Sequence, residues 1–181
     1  IIRQDYQNKF PQRIELIQQL PGVGRSTAAA ISVFAFGQYA AILDGNVKRV
    51  FTRYFGIDGY PCKADVQKKL WHRANACLPE KAANQSIETY TQALMDLGSI
   101  VCTRSKPNCT SCPLQHNCVA HQESRTDKLP SPKPRKQLPK KETIFLMLTK
   151  QNKILLEKRP PSGIWGGLWC PFELSINENT I

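Results

Sequence analysis

Four cysteines, Cys102, Cys109, Cys112 and Cys118, fall within seventeen residues with the spacing C-x6-C-x2-C-x5-C. Thiols packed this closely read as metal ligation in a reducing compartment. Structural zinc sites usually pair two short knuckles separated by roughly a dozen residues or more, often with histidine. Here a single C-x2-C is flanked by lone cysteines, and four ligands from one short loop suit a compact polynuclear core. The pattern favours a [4Fe–4S] cluster, with zinc and loose thiols as its rivals. The loop also avoids negative charge: no acid occurs between Asp96 and Glu123, while Arg104 and Lys106 lie inside it. Acids there would repel phosphate, so the loop is suited to face a nucleic-acid backbone. Cys62, Cys77 and Cys170 are scattered, and they are expected to be ordinary buried thiols.

A second candidate is LPGVGRST at 20–27. Two glycines end one helix and open the next, leaving N–H groups at Gly22, Gly24, Arg25, Ser26 and Thr27 pointing outward. Such a nest at a helix N-terminus binds phosphate without reading sequence. A plain corner between two helices is the alternative. Twenty residues after Gly24, in ILDGNVKRV, stands Asp44. By position alone it is an N-cap, the ordinary place for an aspartate before a helix.

The elements that must hold these residues follow from periodicity. Ile14, Ile17 and Leu20 have helical spacing, so 12–36 reads as helix, tight glycine turn, helix. Val47, Val50, Phe51 and Tyr54 form the stripe of a third helix starting near Asn46. Further helices are predicted over 63–78 and 86–98, the latter leading to Cys102. The stretch 125–141 holds four prolines and seven basic residues against one acid, as in an extended, solvated linker. Beyond it TIFLMLT and KILLEKR read as two strands joined by a polar KQN turn. The 181 residues carry a net charge of +11 and a pI near 9.5, which favours a polyanionic partner over a merely soluble basic protein. Seven cysteines are too few for a disulfide scaffold, and no apolar run is long enough to cross a bilayer. Starting without methionine and ending just after a strand pattern begins, the chain is expected to be a fragment.

The cysteine spacing, LPGVGRST, LDGNVKRV and GIWGGLW (163–169) together resemble the MutY-type adenine DNA glycosylases of the helix–hairpin–helix, or endonuclease III, superfamily. The resemblance implies a mainly α fold: part of the glycosylase domain over 1–60, a helical iron–sulfur domain over 61–124, the basic linker over 125–141, and the start of an α/β Nudix-like domain over 142–181. It implies removal of adenine mispaired with 8-oxoguanine or guanine from double-stranded DNA, with Asp44 supporting cleavage of the N-glycosidic bond. Asn46, Lys48, Arg104 and Lys106 join the hairpin residues as DNA contacts, and hairpin carbonyls can hold a monovalent cation. Met95 and Asp96 would lie near the flipped adenine, although core packing and a solvated helix end explain them as well. Where the bifunctional relatives carry a Schiff-base lysine, this chain has Ser26; that favours hydrolysis alone, with Lys48 leaving adventitious lyase chemistry open. The family's general-acid glutamate lies upstream of residue 1, so these residues by themselves are expected to be inactive. The loop before Asp44 departs from the family in having Ala40 and Ala41 where proline is common. A monomer in the bacterial cytoplasm, associated with the nucleoid and not with a membrane, is the expected setting. An endonuclease III-like glycosylase/lyase and a non-catalytic iron–sulfur DNA-binding module are the competing readings.

Overall fold

In a computed structural model the chain divides into two compact units, residues 1–134 and 135–181. Residues 1–80, 86–134, 140 and 142–174 are described here. No helix among them is long and apolar enough to cross a membrane.

The first unit is helical. A single turn, α1 (Ile2–Asp5), precedes α2 (Ile14–Gln18) and α3 (Arg25–Phe36). Gly22 takes φ +78, a left-handed conformation that side chains resist, and this lets the chain reverse between α2 and α3. Alanine-rich α3 ends where Gly37 turns left-handed at φ +59 and donates its N–H to the Val33 carbonyl. Next comes α4 (Gly45–Tyr54), capped by the Asp44 side chain; Val47, Val50 and Phe51 are buried along one face. In α5 (Ala64–Ala76) the buried Val66, Leu70 and Ala74 sit four residues apart. α6 (Ile87–Asp96) is capped by Ser86 Oγ, which accepts from the Thr89 N–H at 3.3 Å. It runs into a π-helical turn, Leu97–Val101, that delivers Cys102. Two 3-10 turns, Cys109–Ser111 and Gln115–Asn117, and the short α7 (Val119–Gln122) complete the cysteine loop.

One core joins α3, α4 and α5 through Ala29, Leu43, Val47, Phe51 and Leu70, with Met95 of α6 packed against it. Burying each large aliphatic chain contributes about 1.5–3 kcal/mol. This core rigidly relates the hairpin before α3 to the start of α4.

The helix boundaries differ from expectation mainly at the ends. The first helix is confined to Ile14–Gln18, and the one predicted over 86–98 changes to π geometry after Asp96. Two expectations fail in the described residues. Cys62 is exposed rather than buried, while Cys77 and Cys170 are half-buried. The stretch predicted as a solvated linker from residue 125 is partly folded: Leu129 is buried, and its carbonyl accepts from Arg53 Nε at 2.8 Å. Residues 135–139 and 141 of that stretch lie outside the described residues.

The second unit consists of short antiparallel ladders. β1 (Ile144–Leu146) pairs with β6 (Phe172–Leu174) in the register Phe145↔Glu173; β2 (Thr149–Lys150) pairs with β3 (Lys153–Ile154); β4 (Glu157–Lys158) pairs with β5 (Trp169–Cys170). The polar turn is where it was expected, with Gln151 and Asn152 both at positive φ as a type I′ hairpin requires. TIFLMLT and KILLEKR are not two continuous strands, because each half of each segment has a different partner.

Candidate active site and cysteine cavity

The hairpin places its groups as its sequence implies. Gly24 is the N-cap of α3 in extended conformation, and open space surrounds the positions where side chains would sit at Gly22 and Gly24. Arg25 and Thr27 are exposed at the first turn of α3. The Arg25 guanidinium does not extend freely: it stacks on the Trp71 ring of α5 at 3.8 Å. Ser26 is half-buried, and its Oγ accepts from the Leu43 N–H at 2.8 Å.

That bond leads directly to Asp44. Its carboxylate Oδ1 accepts from the Val47 N–H at 2.8 Å, so Asp44 is indeed the cap of α4. The side chain is nevertheless only half-buried, at a helix N-terminus where the backbone dipole favours an anion. Gly45 beside it is exposed, and nothing lies within 4 Å of where its side chain would begin. The arrangement keeps a carboxylate at an open surface, fixed to the same frame as the hairpin.

Asn46 does not face outward alone. Its Oδ1 accepts from Arg49 Nη2 at 2.9 Å, and the π-helical turn after α6 passes so closely that a Cβ on Gly98 would lie 2.7 Å from the Asn46 Cβ. Lys48 is half-buried; its carbonyl accepts from Thr52 Oγ1. Met95 and Asp96, adjacent in sequence, turn to different surroundings. Met95 packs on the core that holds Leu43 and Val47, whereas Asp96 is exposed, bonded to Gln92 Nε2 at 2.8 Å, on an apolar groove with Tyr90, Ile100 and Pro113.

The four cysteines line one cavity, together with Arg53, Gln115 and His121. Burial, and after it the other three cysteines, push the Cys109 thiol up; burial also raises Cys118. Thiols that oppose one another's ionisation need a cation to hold them as thiolates. Arg53 supplies part of this environment. It is 2% exposed, and Nη1 lies 3.3 Å from Cys102 Sγ. Its other bonds reach the carbonyls of Thr103 at 2.7 Å and Arg104 at 3.0 Å, besides Leu129. Among the described residues it makes no ion pair with a carboxylate. A buried guanidinium beside sulfur fits a group of net negative charge, as a cluster held by four thiolates is. Among the described residues no three His, Cys, Asp or Glu side chains converge as ligands of a single ion. Arg104 and Lys106 are exposed on this loop, and the Lys106 carbonyl accepts from Thr103 Oγ1 at 2.7 Å.

Sequence reasoning overlooked Arg49 and Arg53. Arg49 Nε donates to the Cys102 carbonyl at 2.7 Å and Nη2 to the Gly98 carbonyl at 2.5 Å, joining α4 to the entry of the cysteine loop. Burial pulls its guanidinium below the usual arginine value. The only sequence signal was their spacing of four along a helix flanking the apolar stripe. Trp71 was also missed, for want of a partner visible nearby in the chain.

Comparison with known proteins agrees with this geometry. The helix–hairpin–helix motif matches residues 5–34. An adenine DNA glycosylase of Buchnera aphidicola subsp. Schizaphis graminum is 36% identical over 170 residues, covering 94% of this chain and 48% of that protein. The chain thus spans about half the length of this curated relative. A thermostable thymine-DNA glycosylase structure superimposes with TM-score 0.58 at 34% identity, covering 67% of this chain and 54% of that one. A non-covalent endonuclease III–DNA complex gives TM-score 0.53 at 27% identity over 68% of this chain and 54% of that one. With the hairpin, the capped aspartate and the cysteine loop on one helical frame, the chain carries the helix–hairpin–helix motif and is similar to adenine DNA glycosylases over about half of their length.

Proposed function

We propose that this chain carries the aspartate and the DNA-gripping half of an adenine DNA glycosylase that acts on adenine opposite 8-oxoguanine or guanine. The observation that carries the reading is Asp44: a half-buried carboxylate at an open helix N-terminus, hydrogen-bonded into the hairpin frame through the residue before it. The relative named above, an adenine DNA glycosylase, supplies the choice of base.

The chemistry suits that placement. A base in a duplex must be flipped out before its sugar bond is accessible. As the C1′–N9 bond breaks, its electron pair leaves with the adenine and positive charge builds on the deoxyribose. Asp44 faces that charge and lowers the barrier electrostatically. Water adds to C1′ and gives a proton to the carboxylate; with one proton delivered to the departing adenine anion and that on Asp44 released, the base leaves neutral and the carboxylate is restored. Ser26 has no amine and forms no imine, which favours hydrolysis over lyase chemistry. The hairpin amides at Gly22–Thr27, the half-buried Asn46 and Lys48, and the exposed Arg104 and Lys106 grip phosphate without reading sequence. Met95 packs behind the loop, and Asp96, on its own groove, is the weaker candidate for the adenine pocket.

Cys102, Cys109, Cys112 and Cys118 would hold a [4Fe–4S] cluster whose contribution is to brace the basic loop. Residues 142–174 fit the beginning of a Nudix-like domain that helps to recognise 8-oxoguanine. Activity on adenine opposite 8-oxoguanine, compared with adenine opposite guanine and with oxidised pyrimidines, tests the substrate assignment in the intact protein. Release of pyrimidines and not of adenine would overturn it. Anaerobic metal analysis tests the cluster: iron is expected, lost in Cys109→Ser, and zinc alone would refute it.

A further inference from the structure

We propose that the Ser26 side chain is a positioning group for Asp44, its hydroxyl acting through the backbone of Leu43 and not on DNA, while the Ser26 backbone N–H stays with the hairpin amides and is kept in Ser26→Ala. The inference rests on the glycosylase reading above and adds a residue to it.

Between Tyr39 and Leu43 the chain is neither helix nor strand, so no regular ladder determines its path into α4. Two anchors do. The Leu43 side chain, 2% exposed, is packed in the core beside Val47. The Leu43 N–H donates to Ser26 Oγ at 2.8 Å across seventeen residues of sequence. Asp44 comes next, and its carboxylate accepts from the Val47 N–H at 2.8 Å. Consecutive residues are therefore held from opposite sides, Leu43 by the first turn of α3 and Asp44 by the first turn of α4. The hydroxyl of Ser26 is the link between the phosphate-gripping hairpin and the carboxylate.

Removing it has a specific consequence. A buried N–H without a partner is costly, so Leu43 regains a hydrogen bond only by moving toward water. Its neighbour Asp44 moves with it. Displacement of a reacting group by about 1 Å can slow a reaction about a hundredfold, even when binding is unchanged. A serine that only touched phosphate would behave in the opposite way, lowering affinity and leaving the rate on bound DNA intact.

The experiment compares Ser26→Ala and Ser26→Thr in the intact protein by three measurements: single-turnover adenine release at saturating protein, affinity for DNA carrying a non-cleavable adenine analogue, and hydrogen exchange at the Leu43 amide. Ser26→Ala should slow release about 10- to 100-fold and leave affinity within about twofold. Its Leu43 amide should exchange about tenfold faster than the parent's. Ser26→Thr, which keeps the oxygen, should restore both the rate and the protection. Loss of affinity with an unchanged rate overturns the proposal, as does Leu43 exchange that is unaffected in Ser26→Ala. If the parent protein itself releases no adenine, the glycosylase reading fails. The exchange measurement then stands by itself: faster exchange rescued by threonine supports the anchor, and unchanged exchange refutes it.

Discussion

Replacing Arg53 by methionine should destabilise the helical unit and loosen the cysteine loop together. Methionine keeps most of the buried stem, so the change chiefly removes the guanidinium and its bonds to the carbonyls of Leu129, Thr103 and Arg104 at 2.8, 2.7 and 3.0 Å. Hydrogen bonds from a charged donor contribute about 1.5–3 kcal/mol each. Arg104 is exposed, and its carbonyl returns to water at little cost. Leu129 is buried and Thr103 half-buried, so their carbonyls stay partly unsatisfied. Against this, folding no longer desolvates a guanidinium. A net loss of about 2–4 kcal/mol follows. Arg53→Lys should recover only part, because an ammonium replaces the planar fork by a single point. Urea melts give the stability, and iron content measured on the same samples reports the loop. A variant losing less than about 0.5 kcal/mol and retaining its metal would refute the argument that Arg53 ties residues 102–104 and 129 to α4.

Gly98→Ala should cost about 1–3 kcal/mol, read by thermal melts, since its new Cβ would stand 2.7 Å from the Asn46 Cβ and 3.2 Å from the Asn46 carbonyl carbon. Gly24→Glu should fold normally, because φ is −84 and open space surrounds the site, but it should weaken DNA binding on all sequences alike and reduce its dependence on salt. Burial, then Cys77 and Tyr39, push the Tyr90 hydroxyl up to about 12. A raised folded value means stability fully present below the unfolded value near 10 and lost as pH rises through about 12. Tyr90→Phe should flatten that loss in alkaline melts.

Much of the site was legible because its signals are local. LPGVGRST needs only a left-handed Gly22 and a helix starting at Arg25, and both are present. The cysteine spacing brings four thiols to one cavity. What escaped the sequence depends on distant partners. Arg53 reads as a solvated charge beside an apolar stripe, and its burial depends on acceptors far along the chain, at Cys102, Thr103, Arg104 and Leu129. Ser26 reads as a phosphate contact until Leu43 is folded against it. Met95 and Asp96 are neighbours whose surroundings differ because successive helical residues point about 100° apart. TIFLMLT has the composition of one strand, yet β1 pairs with residues 172–174 and β2 with 153–154.

The most direct test of the account is single-turnover adenine release by Asp44→Asn in the intact protein, paired with its melting curve. Asparagine keeps the size and can still cap α4 through Val47, so stability should hold. Loss of the anion facing the developing sugar cation should slow release about a hundred- to a thousandfold, equivalent to about 3–4 kcal/mol. A stably folded Asp44→Asn protein releasing adenine at the parental rate would contradict the central claim and leave Asp44 as a helix cap alone.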